Sequence, residues 1–384
     1  MRHIASHYLL DCGQIIKHPL VTLDEQGRVV AVEQWERLDS VASTEFYGGA
    51  LCAGFVNAHS HIELSYLQGA IARGTGFGGF AAAIGRVRGG YTAQQRQQAL
   101  RAADAKMWSE GVQAVADIVN DDSSFEMKSR SPIRYRSFAE LFGLNSSVEQ
   151  VEPLATHPFT TVTPHSAYSL QDEAFRAAAR AELLSVHFLE SPDEQSLYRG
   201  EGSLAEWYGR MGWQCDFIHY GSATNRLIAS VAPDRRVLLV HGCCATGEDV
   251  EALAQHFHYP VSWVLCPQSN SYISSLQPPV ELLRQHGAQI CVGTDSLASN
   301  TNLSIIEELK LMADVPLSER VAWATINGAR ALGMDDEIGS VEVGKRPGIV
   351  LIEGVVARHY RAKNKAEELL DLDLTPAATS RRLV

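Results

Sequence analysis

The chain has no run of about 18 apolar residues, the length a membrane-spanning helix requires, so no membrane partner is expected. Its first residues, MRHIASHYLLDCGQII, lack the apolar core and cleavage site of a signal peptide. Seven cysteines are present, with no CxxC pair and no disulfide-framework spacing. Together these absences predict a reducing, cytoplasmic setting with buried thiols, and the adjacent Cys243 and Cys244 read as small core filler behind a strand. Positive charge is also short: 33 Lys and Arg stand against 45 Asp and Glu, a formal net charge of −12. Such a surface repels phosphate backbones, which excludes nucleic acid as a partner and favours a small-molecule substrate. There is no internal repeat and no low-complexity tract, and with 45% hydrophobic residues the chain can bury enough surface to fold.

What is present is an α/β alternation. Apolar runs occur at GFVNAH (54–59), VQAVADIV (112–119), SFAELFGL (137–144), TTVTPH (160–165), LLSVHF (183–188), RVLLVHG (236–242), VSWVLCP (261–267) and AQICVGTD (288–295). Helical stretches are predicted at 92–111, 171–181, 247–256, 278–286, 302–312 and 317–332. Eight near-continuous apolar strands with crossovers between them predict a (β/α)8 TIM barrel over 53–335. Residues 1–52 and 336–384 carry short strand patterns instead and are expected to form one small β-sandwich domain. The tail from 361 onward, RAKNKAEELLDLDLTPAATSRRLV, reads as a helix followed by a loose end.

His59 and His61 stand two apart at the end of the first predicted barrel strand, where a period of two puts both side chains on one face. The spacing alone says little, because 14 histidines in 384 residues give roughly half of one such pair by chance. A second pair, His256 and His258, follows a helix rather than a strand and reads as surface. Position is what separates the first pair. His165, His187, His241 and Asp295 end the predicted fourth, fifth, sixth and eighth strands. Barrel active sites assemble at that face from residues distant in sequence. An apolar strand has no packing reason to end repeatedly in His or Asp, and imidazole with carboxylate suits zinc or iron.

The segments GFVNAHSHIELS (54–65), TPHSAYSL (163–170), VHFLES (186–191), LVHGCCAT (239–246), LCPQSN (265–270) and GTDSLASN (293–300) resemble, in this order, the amidohydrolase superfamily. GSVEVGKRPGIVLI (339–352) resembles the segment by which such chains re-enter their β-domain, with Pro347-Gly348 where the family usually has Ala-Asp. The spacing of His187 and Glu190, the PHSAYS segment (Ala167 replacing a proline) and the form of GTDSLASN are similar to the deaminase and chlorohydrolase branch. Binuclear members carry a carboxylated lysine at the end of the fourth strand, where this chain has Pro164-His165. The nearest preceding lysine, Lys128, is expected in a polar loop.

The resemblance therefore implies one divalent ion, zinc with iron as the alternative, held by His59, His61, His187 and Asp295 and activating water. It implies that Asp295 and His241 orient that water and that Glu190 moves protons to the leaving group. It implies an aminohydrolase deaminating an amino-substituted N-heterocycle such as adenosine or aminodeoxyfutalosine. A chlorohydrolase is one alternative and a non-catalytic scaffold of the same fold another. Glu63, His165, Arg73 and Ser296 are the expected substrate contacts, and a homodimer is expected by the same analogy. The glycine-rich stretch 66–91, with Arg73, Arg86 and Arg88, reads as a substrate-covering loop rather than a nucleotide fingerprint, since it does not lead from a strand into a phosphate-binding helix.

Overall fold

The computed structural model of the protein describes residues 1–36, 43–361 and 368–384. Both termini contribute to one seven-stranded mixed sheet. Its strands are β1 (Arg2–Asp11), β2 (Gln14–Lys17), β3 (Pro19–Leu23), β4 (Val29–Gln34), β5 (Thr44–Ala53), β14 (Ile349–Arg361) and β15 (Glu368–Arg382). The order is β15-β14-β5-β1-β3-β4, with β2 on the side of β1. Leu9, Val21, Leu51 and Leu351 are fully or almost fully buried in a core of their own within this sheet region.

Between these ends lie eight parallel strands in two four-stranded sheets. The first holds β6 (Phe55–Ser60), β7 (Val112–Val119), β8 (Arg134–Leu141) and β9 (Thr160–Pro164); the second holds β10 (Leu183–Phe188), β11 (Arg236–His241), β12 (Ser262–Leu265) and β13 (Gln289–Val292). Every residue of β6, β7 and β10 is buried, as expected of strands covered on both faces. Alternation divides the two faces. Val56, Ala58, Ala114, Ala116, Phe138 and Val240 share one cluster, while Phe55, Val115, Ala139 and Leu239 belong to another that includes helix residues such as Leu100 and Leu253. The two sheets touch at both seams. Thr294 and Asp295 donate their backbone N–H to His59 O, each at 3.0 Å, and Ser60 bridges Asp295. At the other seam His187 N donates to His165 O at 2.8 Å, and Ser166 bridges His187.

Local chemistry fixes two of the predicted helices at their N-termini. Ala93–Ser109 starts on a capping box in which Thr92 accepts from Gln95 N and the Gln95 side chain accepts from Thr92 N. Gly247–His256 begins on the equivalent box of Thr246 and Asp249.

Three expectations are corrected. The third barrel strand is Arg134–Leu141, three residues earlier than its apolar run suggested. Arg134 and Arg136 are part of the strand, Arg134 pairing with Glu337 at 2.7 Å, while Phe142 beyond it is 54% exposed. Lys128 is not in a polar loop. It ends a short helix, Phe125–Lys128, and its buried ammonium pairs with Asp117 at 2.6 Å. The tail, from Glu368 on, is strand β15 rather than helix and loose end, antiparallel to β14. Leu370-Asp371-Leu372-Asp373-Leu374 alternates with a period of two, the strand signature that outweighs the helix-forming AEELL before it. Of the predicted helix, residues 362–367 lie outside the described residues.

Strand β15 is tied to the helix Leu317–Ala322 by a buried ion pair, Arg320 Nη2 to Asp373 Oδ1 at 2.7 Å, with Arg320 Nη1 donating to Leu309 O at 2.6 Å. Removing one partner of a buried pair strands the other. Arg358, however, also reaches Asp373, at 2.7 Å, and limits the loss. Arg320→Met is expected to destabilise the fold by about 3 kcal/mol, read from urea unfolding; a change below about 1 kcal/mol, the size of an exposed pair's contribution, would show the pair to be dispensable.

Candidate metal centre and active site

The expected strand ends converge. His59, the penultimate residue of β6, and His61, just beyond it, bring their Nε2 atoms to 3.2 Å. Asp295 Oδ1 lies 3.8 Å from His59 Nε2 and 3.6 Å from His61 Nε2. The His187 ring centroid stands 4.9 Å from that of His59 and 5.5 Å from that of His61. His241 joins the same group, 5.4 Å from His187 and 6.0 Å from His59 by ring centroid. His59, His61 and Asp295 offer donor atoms within 4.8 Å of one another, and so do His59, His187 and His241.

Backbone geometry aims two of these side chains. His241 and Asp295 both adopt left-handed conformations, with φ of +75° and +56°, at the points where their strands give way to loops. Non-glycine residues held there cost of order 1–3 kcal/mol and survive only where their surroundings over-determine them. The surroundings do so. Asp295 Oδ2 accepts from Ser269 at 2.6 Å and from Ser299 at 2.9 Å, and His241 Nδ1 lies 2.8 Å from Asn270 Oδ1. Ser269 and Asn270 sit on the helix Pro267–Ile273, which follows β12. Buried Glu308 ties that helix to the Asp295 loop, accepting from Gln268 N at 2.9 Å and from Asn300 Nδ2 at 2.8 Å.

The electrostatics suit a cation. Burial, with repulsion from neighbouring histidines, drives His59 well below its ordinary pKa, and burial likewise lowers His61 and His187. All three are shifted toward the neutral imidazole, the form that binds a metal. Burial acts to raise Asp295, but His61, His241, Ser269 and His187 outweigh it and keep the carboxyl below its usual range, as an anion. A tetrahedral zinc with bonds of about 2.0–2.1 Å separates its donor atoms by roughly 3.3 Å, and the 3.2–3.8 Å spacings of His59, His61 and Asp295 match this. The donor set fits a divalent ion.

Glu190 lies at the rim of this group, its Oε1 3.8 Å from His241 Nε2, and its Oε2 accepts from Tyr168 OH at 3.5 Å. Burial pushes its carboxyl up to about 7, against the opposing pull of His187. His165 stacks on His187 at 4.4 Å and 17°. Glu63 is 8% exposed and both of its oxygens accept from Asn120 N, at 3.2 and 3.0 Å; burial pushes it up to about 8. The other two expected substrate contacts flank the centre, Ser296 next to Asp295 and Arg73 against the helix that carries Ser269 and Asn270. Arg73 is exposed and rests over the Tyr272 ring at 5.0 Å, and the Ser296 hydroxyl turns to that of Ser299 at 3.2 Å.

The stretch 66–91 is more ordered than a loop. It contains the helix Gly76–Val87, and Phe77 packs edge-on against Tyr168 at 5.5 Å. Several residues near the site were not singled out from the sequence: Asn120, Glu140, Tyr168, Ser269, Asn270 and Ser299. Tyr168, Ser269, Asn270 and Ser299 lie within the segments TPHSAYSL, LCPQSN and GTDSLASN, which were the signal for them, and Glu140 stands near the end of β8 just as His187 stands near the end of β10, where the misplaced strand register hid it.

The profile of the Amidohydrolase family matches residues 50–372. An adenosine deaminase of Helicobacter pylori is 27% identical over 327 residues, 78% of this chain and 78% of that protein. A 5-methylthioadenosine/S-adenosylhomocysteine deaminase of Moorella thermoacetica is 34% identical over a shorter stretch of 131 residues, 31% of this chain and 30% of that one. Among solved structures, Helicobacter pylori aminofutalosine deaminase in complex with methylthio-coformycin superposes with a TM-score of 0.79 at 24% identity, covering 92% of each chain. An adenosine deaminase from Xanthomonas campestris with bound zinc gives 0.74 at 22% identity, covering 91% of this chain and 84% of that one. With a family profile spanning most of its length and the strand-end histidines gathered around Asp295, the chain belongs to the amidohydrolase family.

Proposed function

We propose that this chain is a metal-dependent aminohydrolase that releases ammonia from an amino-substituted nitrogen heterocycle, a purine or pyrimidine or one of their nucleosides, with adenosine and aminodeoxyfutalosine the first candidates. The observation that carries the reading is the position of Glu190, a half-buried carboxyl 3.8 Å from His241, which joins His187 and His59 in one donor group while His59 joins His61 and Asp295 in the other. The reading also takes the two parallel sheets as one closed (β/α)8 barrel, supported by the hydrogen bonds at both seams. It takes 1–52 with 336–384 as a β-sandwich unit apart from 53–335, supported by the pairing of β5 with β14 and their separate buried core.

His59, His61, His187 and Asp295 would hold one zinc. A divalent ion bound there lowers the pKa of a coordinated water to about 7. The chain's own groups do the rest. Asp295, anionic and fixed by Ser269 and Ser299, takes the water's proton, and His241, held by Asn270, orients the attack. Glu190 in its acid form gives a proton to the ring nitrogen next to the amino-bearing carbon, which makes that carbon electrophilic. The proton abstracted from water then passes to the amine so that it leaves as ammonia, and the hydroxyl left on the carbon returns a proton to Glu190 as the carbonyl forms. His165 and Glu63 line the approach from the β9 and β6 sides as substrate contacts.

An ammonia-release screen of purines, pyrimidines and their nucleosides is expected to give at least one substrate, with adenosine-type nucleosides tried first. A chloro-substituted triazine run alongside reads chloride release. Chloride without ammonia across that panel would overturn the deaminase reading in favour of a chlorohydrolase.

A further inference from the structure

Glu140 stands out in the neighbourhood of the metal centre. Its side chain is 5% exposed, at the penultimate position of β8. One oxygen, Oε2, accepts from Asn120 Nδ2 at 3.1 Å. The other, Oε1, is buried and has no hydrogen-bond donor among the described residues, yet it lies 3.5 Å from His187 Nδ1. Leaving a buried carboxylate oxygen unmatched is costly, so a carboxylate kept in such a position has a neighbour that compensates it. Among the described residues, His187 Nδ1 is the ring nitrogen within ion-pair distance of it, and a ring nitrogen of His165 lies within 4.8 Å of the same carboxyl. The backbone N–H of the same Asn120 donates to both oxygens of Glu63, so one residue fixes two carboxyls: a chain of contacts runs from Glu63 through Asn120 and Glu140 to His187.

We propose that Glu140 is a positioning residue for the metal centre. Its Oε1 faces the Nδ1–H of His187, fixes that tautomer together with the His165 carbonyl 3.2 Å away, and so presents Nε2 to the ion; Asn120 is the clip that aims Glu140. A carboxylate behind a ligating imidazole orients the ring and raises its basicity. Glu140, His165 and His187 could alternatively be read as donors to a second ion, since they come within 4.8 Å of one another. The stacking of His165 on His187 at 4.4 Å and the contact of His187 Nδ1 with the His165 carbonyl argue against it, because that nitrogen is already engaged as a donor.

The inference rests on the reading that His187 ligates the ion, and the experiment separates the two. Wild type, His187→Ala, Glu140→Ala and Glu140→Gln are loaded with cobalt(II). Transfer of the metal to a competing chelator and the visible ligand-field spectrum are recorded, with circular dichroism to confirm folding. Glu140→Ala is expected to bind metal about 10–100-fold more weakly and to shift the cobalt band. Glu140→Gln, which keeps an acceptor oxygen without the charge, is expected to recover part of that loss. His187→Ala is expected to lose more than either. If His187→Ala also retains wild-type affinity, the ligand reading fails. If His187→Ala loses metal while Glu140→Ala keeps wild-type affinity and spectrum, Glu140 does not position the ligand and the inference falls. A second cobalt per chain in wild type that disappears in Glu140→Ala overturns it too, by making Glu140 a ligand.

Discussion

Glu190→Gln is expected to bind metal as wild type does and to lose about 10²–10⁴-fold in kcat, the size of a general acid–base contribution. Glutamine has nearly the shape of glutamate and still accepts from Tyr168 OH, so neither the loop after β10 nor the His59, His61 and Asp295 donors should move. What disappears is an exchangeable proton beside His241. A positively charged or protonated ring nitrogen is needed before water can add to the neighbouring carbon, and no other carboxyl among the described residues lies within ion-pair distance of His241. KM should change little, because the lost contribution is made only in the transition state. The measurement is steady-state ammonia release together with elemental analysis of the same preparation. Full turnover in the variant removes Glu190 from the chemistry, whereas parallel loss of metal and turnover makes Glu190 a support of the cluster rather than a proton carrier.

The amino-acid sequence carried the centre better than its supports, for a physical reason. His59, His165, His187, His241 and Asp295 stand out because an apolar strand that ends in a titratable group is rare, and the pattern repeats around the fold. Ser269, Asn270 and Ser299 hold Asp295 and His241 just as firmly, but within the matching segments LCPQSN and GTDSLASN hydroxyls and amides are too common for their role to be told from their type. Glu140 was hidden by a three-residue error in strand register, since Arg134 and Arg136 count as polar in a pattern while belonging to the strand. The glycine-rich stretch 66–91 reads as a covering loop, yet it holds the helix Gly76–Val87, with Phe77 packed on Tyr168 and Gly74 N donating to Tyr272 O just ahead of it. Tertiary contacts there override local propensity. The tail failed differently: AEELL read alone favours a helix, and only the partner strand β14, distant from any local signal, makes the following leucines and aspartates a strand.

Exhaustive chelation is expected to abolish turnover, and one equivalent of zinc per chain to restore it. Without an ion the site is poorly balanced: His59 Nε2 and His61 Nε2 face each other at 3.2 Å, burial disfavours charge on both rings, and the Asp295 carboxylate has two serine hydroxyls as hydrogen-bond donors. The ion supplies the missing positive charge. Free zinc at about 1,000 times its dissociation constant would add about 4 kcal/mol to folding stability, so the thermal midpoint should rise with zinc concentration as activity returns. The expected stoichiometry follows from the bridging position. Paired ions about 3.5–4 Å apart need a shared ligand, and at the end of β9 this chain offers His165, not lysine. Lys128 is committed to Asp117 at 2.6 Å and to Ser137 at 2.9 Å. Titrating the metal-free protein should therefore give activity that rises linearly and breaks at one ion per chain. A break at two would require a bridging group from some other residue and would overturn the single-ion reading, and full activity in the metal-free protein would remove the ion from the reaction altogether.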